Sequence, residues 1–285
     1  MFEPTTYVGL DLGGSRLKLV DYRQSEDSFE RVGSFPIGEA EEMLDCLDSH
    51  LSELAGRKLA VSGIGIGVPG LLSPKGEVLY SPHRPELIGI ELATEVASRT
   101  GIWPVIWNDA ACAAAAECVK WGDRSVLVAN FGTGVGSAMA RTGTVTAGGN
   151  FAFGELGHTG RYSKARCACG RIGCFEETIR VMLPMGVDDD SELHLTSKSS
   201  YGDAVELIAS VLHDLVLVLD PHELVLGGGL MARLDQIFED VSVRLLAELS
   251  EHRRPISVRI HKAIADEYSG AMGAALLAAR RVGYE

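Results

Sequence analysis

Long apolar runs are missing from this chain: no stretch approaches the roughly 18 residues a membrane-crossing helix needs, so no membrane partner is expected. A basic surplus is missing too. Lys and Arg number 26 against 39 Asp and Glu, a formal net charge of −13. Phosphate backbones attract cationic surfaces, so no nucleic-acid partner is expected either. Residues 1–7 hold an acid and no basic stretch, which argues against a secretory leader and for a cytoplasmic protein. Also absent are a Walker A run and a GxGxxG between a strand and a helix. Prolines number only ten, and 46% of the 285 residues are hydrophobic, enough to core one or two domains. Should a polyanion bind so acidic a chain, backbone amides, helix N-termini and a cation must offset its charge locally.

Of the six cysteines, Cys46, Cys112 and Cys118 lie in apolar helical stretches and read as small core residues. Cys167, Cys169 and Cys174 crowd into one short segment, GRYSKARCACGRIGCFEE. In a reducing compartment that spacing favours a metal over disulfides. With His158 they offer one imidazole and three thiols, a set suited to tetrahedral Zn²⁺ with no open position, hence structural rather than catalytic. Unbound thiols in a loop, or a redox pair at Cys167 and Cys169, are the plainer alternatives. Glu155 and Glu176 bracket the ligand set, so a knot that fixed the loop would fix both carboxylates where sugar hydroxyls could donate to them.

The order of elements is an α/β alternation with glycine turns after its strands. Strands are expected at 7–12, 16–22, 31–37, 59–67, 104–107, 125–131, 136–141, 223–226 and 257–260. Helices are expected at 39–54, where Met43, Leu44, Leu47, Leu51 and Leu54 recur at helical spacing, and at 91–100, 109–121, 201–219 and 269–280. The Asp-rich stretch 188–200 reads as a loop. DLGGS at 11–15 and NFGTG at 130–134 are similar strand–turn units, which hints at two related lobes with a ligand cleft between them.

Glycine lets backbone N–H groups come close to a phosphate oxygen because no Cβ intervenes. Gly13 and Gly14, and again Gly132 and Gly134, supply such turns; Ser15 and Thr133 add hydroxyls and Arg16 a charge. Asp11 could hold the Mg²⁺ that accompanies ATP. Tight hairpins that use glycine for geometry alone are the competing reading. Asn108-Asp109 closes a strand and opens a helix, so Asp109 is either a cap or a carboxylate that accepts a proton from an attacking hydroxyl.

These residues resemble the ROK family of bacterial sugar kinases. The likeness runs from about Tyr7 to Ala279 on DLGGS, GIGVPG (65–70), ND (108–109), GTGVG (132–136), GELGH (154–158), CACGRIGC (167–174) with Glu176, and LGGG (226–229). It implies an α/β fold of the actin, hexokinase and Hsp70 group (ribonuclease-H-like). A lobe of residues 1–109 plus 269–285 would then join a larger lobe of 110–268. It also implies ATP with Mg²⁺ as donor, Asp109 as general base, and Asn108, Glu155, His158 and Glu176 on the sugar. Residues 11–16 and 132–134 would sit around the phosphates and Gly227, Gly228 and Gly229 by adenosine. His158 would turn one ring nitrogen to zinc and the other to the sugar. The expected reaction is phosphorylation of a free hexose, glucose foremost, at O6, with an N-acetylhexosamine as the alternative acceptor. A non-catalytic sugar-binding or regulatory protein, or a polyphosphate-using kinase, is a lesser one. Relatives suggest a homodimer or homotetramer. The family usually has Lys for Arg16, Thr for Ser15, Asn for Ala111, and Asn and Trp where His83 and Leu87 stand, so the acceptor sugar is where this chain departs. The other histidines, His50, His194, His213, His222, His252 and His261, read as ordinary surface or core residues.

Overall fold

The computed structural model describes residues 5–81, 84–183, 198–253, 256–263 and 267–280. β1 (Thr5–Leu12) is buried at every position after its first, as a central strand must be, and the first glycine turn returns the chain along β2 (Arg16–Arg23) and β3 (Ser28–Pro36). α1 (Ala40–Gly56) buries Met43, Leu44, Leu47 and Leu54 of the stripe read from the sequence, and Leu51 is partly buried against the same core. β4 (Ala60–Val68) then lies parallel to β1. A small hairpin, β5 (Leu71–Leu72) and β6 (Val78–Tyr80), a 3-10 turn at Pro85–Leu87 and α2 (Leu92–Thr100) lead to β7 (Val105–Asn108), parallel to β4. α3 (Asp109–Cys118) follows.

The same plan starts again with β8 (Ser125–Phe131), β9 (Val135–Arg141) and the short β10 (Thr144–Val145). α4 (Phe175–Met182) follows the cysteine segment, then α5 (Lys198–Leu219), β11 (Glu223–Gly227), α6 (Gly229–Arg233), α7 (Asp235–Ser250), β12 (Arg259–Lys262) and α8 (Ser269–Ala279). The sheet orders are β3-β2-β1-β4-β7 and β10-β9-β8-β11-β12. They match position by position, with a hairpin edge continued by strands added in parallel.

Contacts divide the chain into two compact units: Met1–Gly122 with Ala140–Phe153 and Asp266–Glu285, and Asp123–Met139 with Gly154–Ala265. α3, expected with the second lobe, packs on α8 in the first. The reason is small residues: a Cβ on Gly273 would fall 1.7 Å from the Cys112 carbonyl oxygen. α8 also rides on the sheet over Gly9 and Gly65, which are neighbours across β1 and β4. A Cβ at either would lie about 2 Å from a carbonyl oxygen of α8, Ala271 or Ala274. Of the loop expected at 188–200, residues 198–200 already belong to α5 and the rest lie outside the described residues; so do His83 and His194. Among the described residues no helix is long and apolar enough to cross a membrane.

Candidate active site

In the first unit, the turn 13–15 is closed by Gly13 N–H donating to Arg16 C=O at 2.8 Å. That amide is therefore used by the hairpin, and Gly14 and Ser15 form the exposed tip. The Arg16 guanidinium, expected to face phosphate, donates instead to Ser34 Oγ and Ser34 C=O, both at 2.7 Å. Asp11, next to last in β1, is almost fully buried. Burial pushes its carboxyl up, and Lys18, 3.6 Å away, pulls the other way. A Cβ on Gly270 would stand 2.6 Å from the Asp11 Cγ, so the start of α8 approaches this carboxylate with nothing between. A buried carboxylate whose charge Lys18 only partly offsets fits a divalent cation.

Asn108 is the helix cap. Its Oδ1 accepts from Ala110 N–H at 2.9 Å and its amide donates to Gly70 C=O at 2.8 Å. The expectation that Asn108 serves the sugar thus meets a side chain already tied to backbone at both ends. The same cap leaves Asp109 as the first helical residue, its Oδ1 2.9 Å from Ala110 N. Cys112, one turn on, is wholly buried; burial, then the Asp11 and Asp109 carboxylates, raise its thiol well above the ordinary range. Phe151, in left-handed backbone (φ 54°), packs its ring 5.7 Å from that of Trp107, two residues before Asp109.

In the second unit, Gly132 N–H closes the other glycine turn on Gly134 C=O at 2.9 Å. Glu176, at the start of α4, lies against this turn: Oε2 accepts from Val135 N–H at 2.8 Å and Oε1 from Arg180 at 3.0 Å. A Cβ on Gly134 would stand 2.5 Å from Glu176 Oε2, so glycine there makes room for the carboxylate. Arg180 also donates to Thr133 C=O at 2.9 Å. Sequence reading missed this arginine, though its i,i+4 spacing from Glu176 is the usual signal for such a pair. The GELGH segment lies on β9: Ser137 N–H donates to Gly154 C=O at 2.8 Å, and a Cβ on Gly157 would meet Val135 C=O at 2.3 Å. Glu155 is held above the ordinary carboxylate range by burial, with His158 opposing and Glu176 reinforcing the rise. Gly227 ends β11 and Gly228 follows it as the cap of α6; a Cβ on either would fall 2.4 Å from Asn130 or Phe131. Gly229 opens α6.

The histidine–cysteine cluster is compact. His158, Cys167, Cys169 and Cys174 present ligand atoms that all lie within 4.8 Å of one another. Cys167 Sγ is 3.6 Å from His158 Nδ1, and Cys169 Sγ is 3.6 Å from Cys174 Sγ. A tetrahedral zinc with ordinary bond lengths sets S–S edges of about 3.8 Å and S–N edges of about 3.6 Å. The charges agree with the distances. Burial and neighbouring sulfurs raise Cys174 to about 12 and burial raises Cys167, while at Cys169 the Arg171 N–H and adjacent thiols outweigh burial and lower it. Zinc binding would require the thiols to lose their protons, and the spacing of the four ligand atoms fits a tetrahedral dication. Arg171 fixes the loop from outside, donating to the carbonyls of His158 (2.6 Å) and Gly160 (3.2 Å). With Nδ1 on the sulfurs, His158 Nε2 faces Glu155 Oε2 at 3.9 Å.

Comparison with known proteins identifies what the whole chain is similar to. The chain is 28% identical to an N-acetyl-D-glucosamine kinase of Erwinia tasmaniensis, covering 95% of this chain and 98% of that one. The crystal structure of a ROK hexokinase from Thermus thermophilus superposes with a TM-score of 0.81 at 24% identity, over 97% and 99% of the two chains. A ROK family glucokinase from Streptomyces griseus, solved with glucose and AMPPNP, gives 0.71 at 21% identity over 96% and 99%. The fold is therefore the α/β, actin- and hexokinase-like one of these kinases. The family pattern itself spans residues 7–181 and 194–281, nearly the whole chain, and on that ground this protein belongs to the ROK family.

Proposed function

We propose that this chain is an ATP-dependent sugar kinase that transfers the γ-phosphoryl group to the O6 hydroxyl of a hexose or N-acetylhexosamine. The observation that carries the reading is the double engagement of His158. Nδ1 lies against Cys167 Sγ while Nε2 turns toward Glu155, so one ring couples the cysteine cluster to carboxylates suited to sugar hydroxyls. A bound zinc supplies structural rigidity to this loop. Glu155 accepts from a sugar hydroxyl, and Glu176 both accepts and braces the glycine turn.

Asp109 takes the proton from the attacking hydroxyl, whose oxygen forms the new bond to the γ-phosphorus as the bond to the bridging oxygen breaks and ADP leaves. Asp11 holds the Mg²⁺ of the nucleotide, and the tips Gly14–Ser15 and Thr133–Gly134 offer N–H and hydroxyl donors to the phosphates. Gly13 and Gly132 shape those turns. Among acceptors, N-acetyl-D-glucosamine is placed first, because that is the activity named for the Erwinia relative. Glucose, foremost in the sequence reading, stands second on the names of the structural neighbours.

The test is turnover with Mg-ATP across glucose, N-acetylglucosamine, N-acetylmannosamine, mannose, fructose and allose, for the wild type and Asp109→Asn. One sugar should dominate kcat/KM. The variant should lose kcat by roughly 10²–10⁴-fold with sugar binding little changed. Near-normal turnover in Asp109→Asn removes that residue from the base role, and no turnover on any sugar removes the kinase reading.

A further inference from the structure

Arg84 heads the 3-10 turn Pro85–Leu87 and is among the largest wholly buried side chains of the chain, 2% exposed. A guanidinium stays charged wherever it lies, so burial makes this cation hard to hold without a use. Its Nη1 faces three backbone carbonyls, Gly14 at 3.4 Å, Ile37 at 3.4 Å and Gly38 at 3.2 Å. Nε lies 2.8 Å from Glu86 Oε1, but off the hydrogen-bonding axis. Nη2 is buried with no acceptor among the described residues. An apolar residue of similar volume would fill this space at lower free energy. Packing alone therefore does not account for the charge.

What the charge touches is the back of the first glycine turn. Gly14 C=O accepts from Arg84, and the Ser15 carbonyl accepts from Ile37 N–H at 3.1 Å. The Gly14–Ser15 peptide is thus gripped from behind at its oxygen, while its N–H belongs to Ser15 at the exposed tip. Drawing electron density toward that oxygen makes the same peptide's N–H a stronger donor, the ordinary cooperativity of hydrogen-bonded chains.

We propose that Arg84 is a positioning residue for the donor phosphates: gripping the Gly14 carbonyl from the interior, it sets the Gly14–Ser15 tip and polarises the Ser15 N–H toward bound nucleotide. The assignment rests on the kinase reading above and extends it to a residue that no sequence motif marks.

Steady-state kinetics of Arg84→Met, Arg84→Gln and Arg84→Lys test it, with calorimetric titration of Mg-AMPPNP alongside. Arg84→Met should raise the KM for Mg-ATP and the Kd for Mg-AMPPNP by about tenfold, the scale of one charged hydrogen bond, and leave the sugar KM within about twofold. Arg84→Lys should recover part of that loss. Arg84→Gln, which keeps an N–H donor without charge, should fall between. Equal rises in both KM values, or no rise in either, overturn the proposal. If Arg84→Met does not fold, Arg84→Lys decides alone: an ATP KM and a sugar KM both unchanged reject it. The wild type separates the two readings. A wild type inactive on every sugar sinks the kinase reading, while loss of Mg-AMPPNP binding in the variants still supports Arg84. An active wild type with an unaltered KM ratio in the variants does the reverse.

Discussion

At the scale of single residues, the side chains around the knot each serve two partners, and that sharing makes the site sensitive to small changes. Glu176 accepts from Val135 N–H and from Arg180, so it holds the glycine turn as well as any ligand. His158 divides its two ring nitrogens between sulfur and carboxylate. Cys169 is the ligand to test because its thiol is the one the surroundings favour as thiolate. Cys169→Ser replaces a soft anionic ligand with a neutral hydroxyl and leaves the loop's shape nearly unchanged. Elemental analysis after dialysis against a mild chelator should find about one zinc per wild-type chain and much less in the variant, with a raised sugar KM. Equal metal content in both proteins would rule out the four-residue ligand set.

At the scale of elements, α8 and its sheet fit through missing side chains rather than interlocking ones. Gly65 sits on β4, and a Cβ there would stand 1.9 Å from the Ala274 carbonyl oxygen, a backbone atom that cannot swing aside. Gly65→Ala should therefore push α8 off the sheet and destabilise the chain by about 1–3 kcal/mol, the usual range for overpacking. Gly56, at the end of α1, is the control: nothing lies within 4 Å of its added Cβ. Gly56→Ala should be neutral or stabilising by about 0.5–1 kcal/mol. Denaturant midpoints read both, and similar shifts in the two variants would contradict the packing account. The sequence disclosed α1 because a long helix repeats its apolar stripe enough times to be read, and α8 because its run of alanines and leucines favours a helix. It did not disclose β5, β6 or β10, which run two or three residues and have no alternation to show. α4, at eight residues, offers barely two turns. β12, expected at 257–260, begins two residues later because only its pairing with β11 sets the register.

At the scale of the whole molecule, the motifs were legible and the long-range ties between them were not. The glycine turns, the Asn-Asp pair and the cysteine segment announce themselves by residue type and spacing. Arg84 reaches across 70 positions to Gly14, with no local pattern to mark it; Arg180 pairs locally with Glu176, but its reach across 47 positions to Thr133 leaves no trace in the spacing. Glu223 belongs with these. Wholly buried at the start of β11, it accepts from Arg124 at 2.9 Å and from Arg259 at 3.0 Å, and pairs with His261 at 2.8 Å, so one carboxylate gathers side chains from beside β8 and from β12. His261, read from sequence as ordinary, is part of that knot. The Arg259 hydrogen bonds, against burial and with help from His261 and Arg124, hold the Glu223 carboxyl down at about 2 from an ordinary 4.5. A folded-state value below the unfolded one stabilises the protein at every pH above about 4.5, and that contribution fades as pH falls toward about 2. Acid titration of all 39 carboxylates on a chain of net charge −13 would bury this single effect, whereas a difference between two proteins cancels what they share. Glu223→Gln should thus be less stable than the wild type by about 1–3 kcal/mol at pH 7, a range kept low because both arginines are half-exposed. The gap should stay constant down to about pH 4.5 and narrow below it. Urea unfolding of both proteins from pH 7 to pH 3 measures the gap, and one that widens toward acid would show that Glu223 is not held ionised by its arginines.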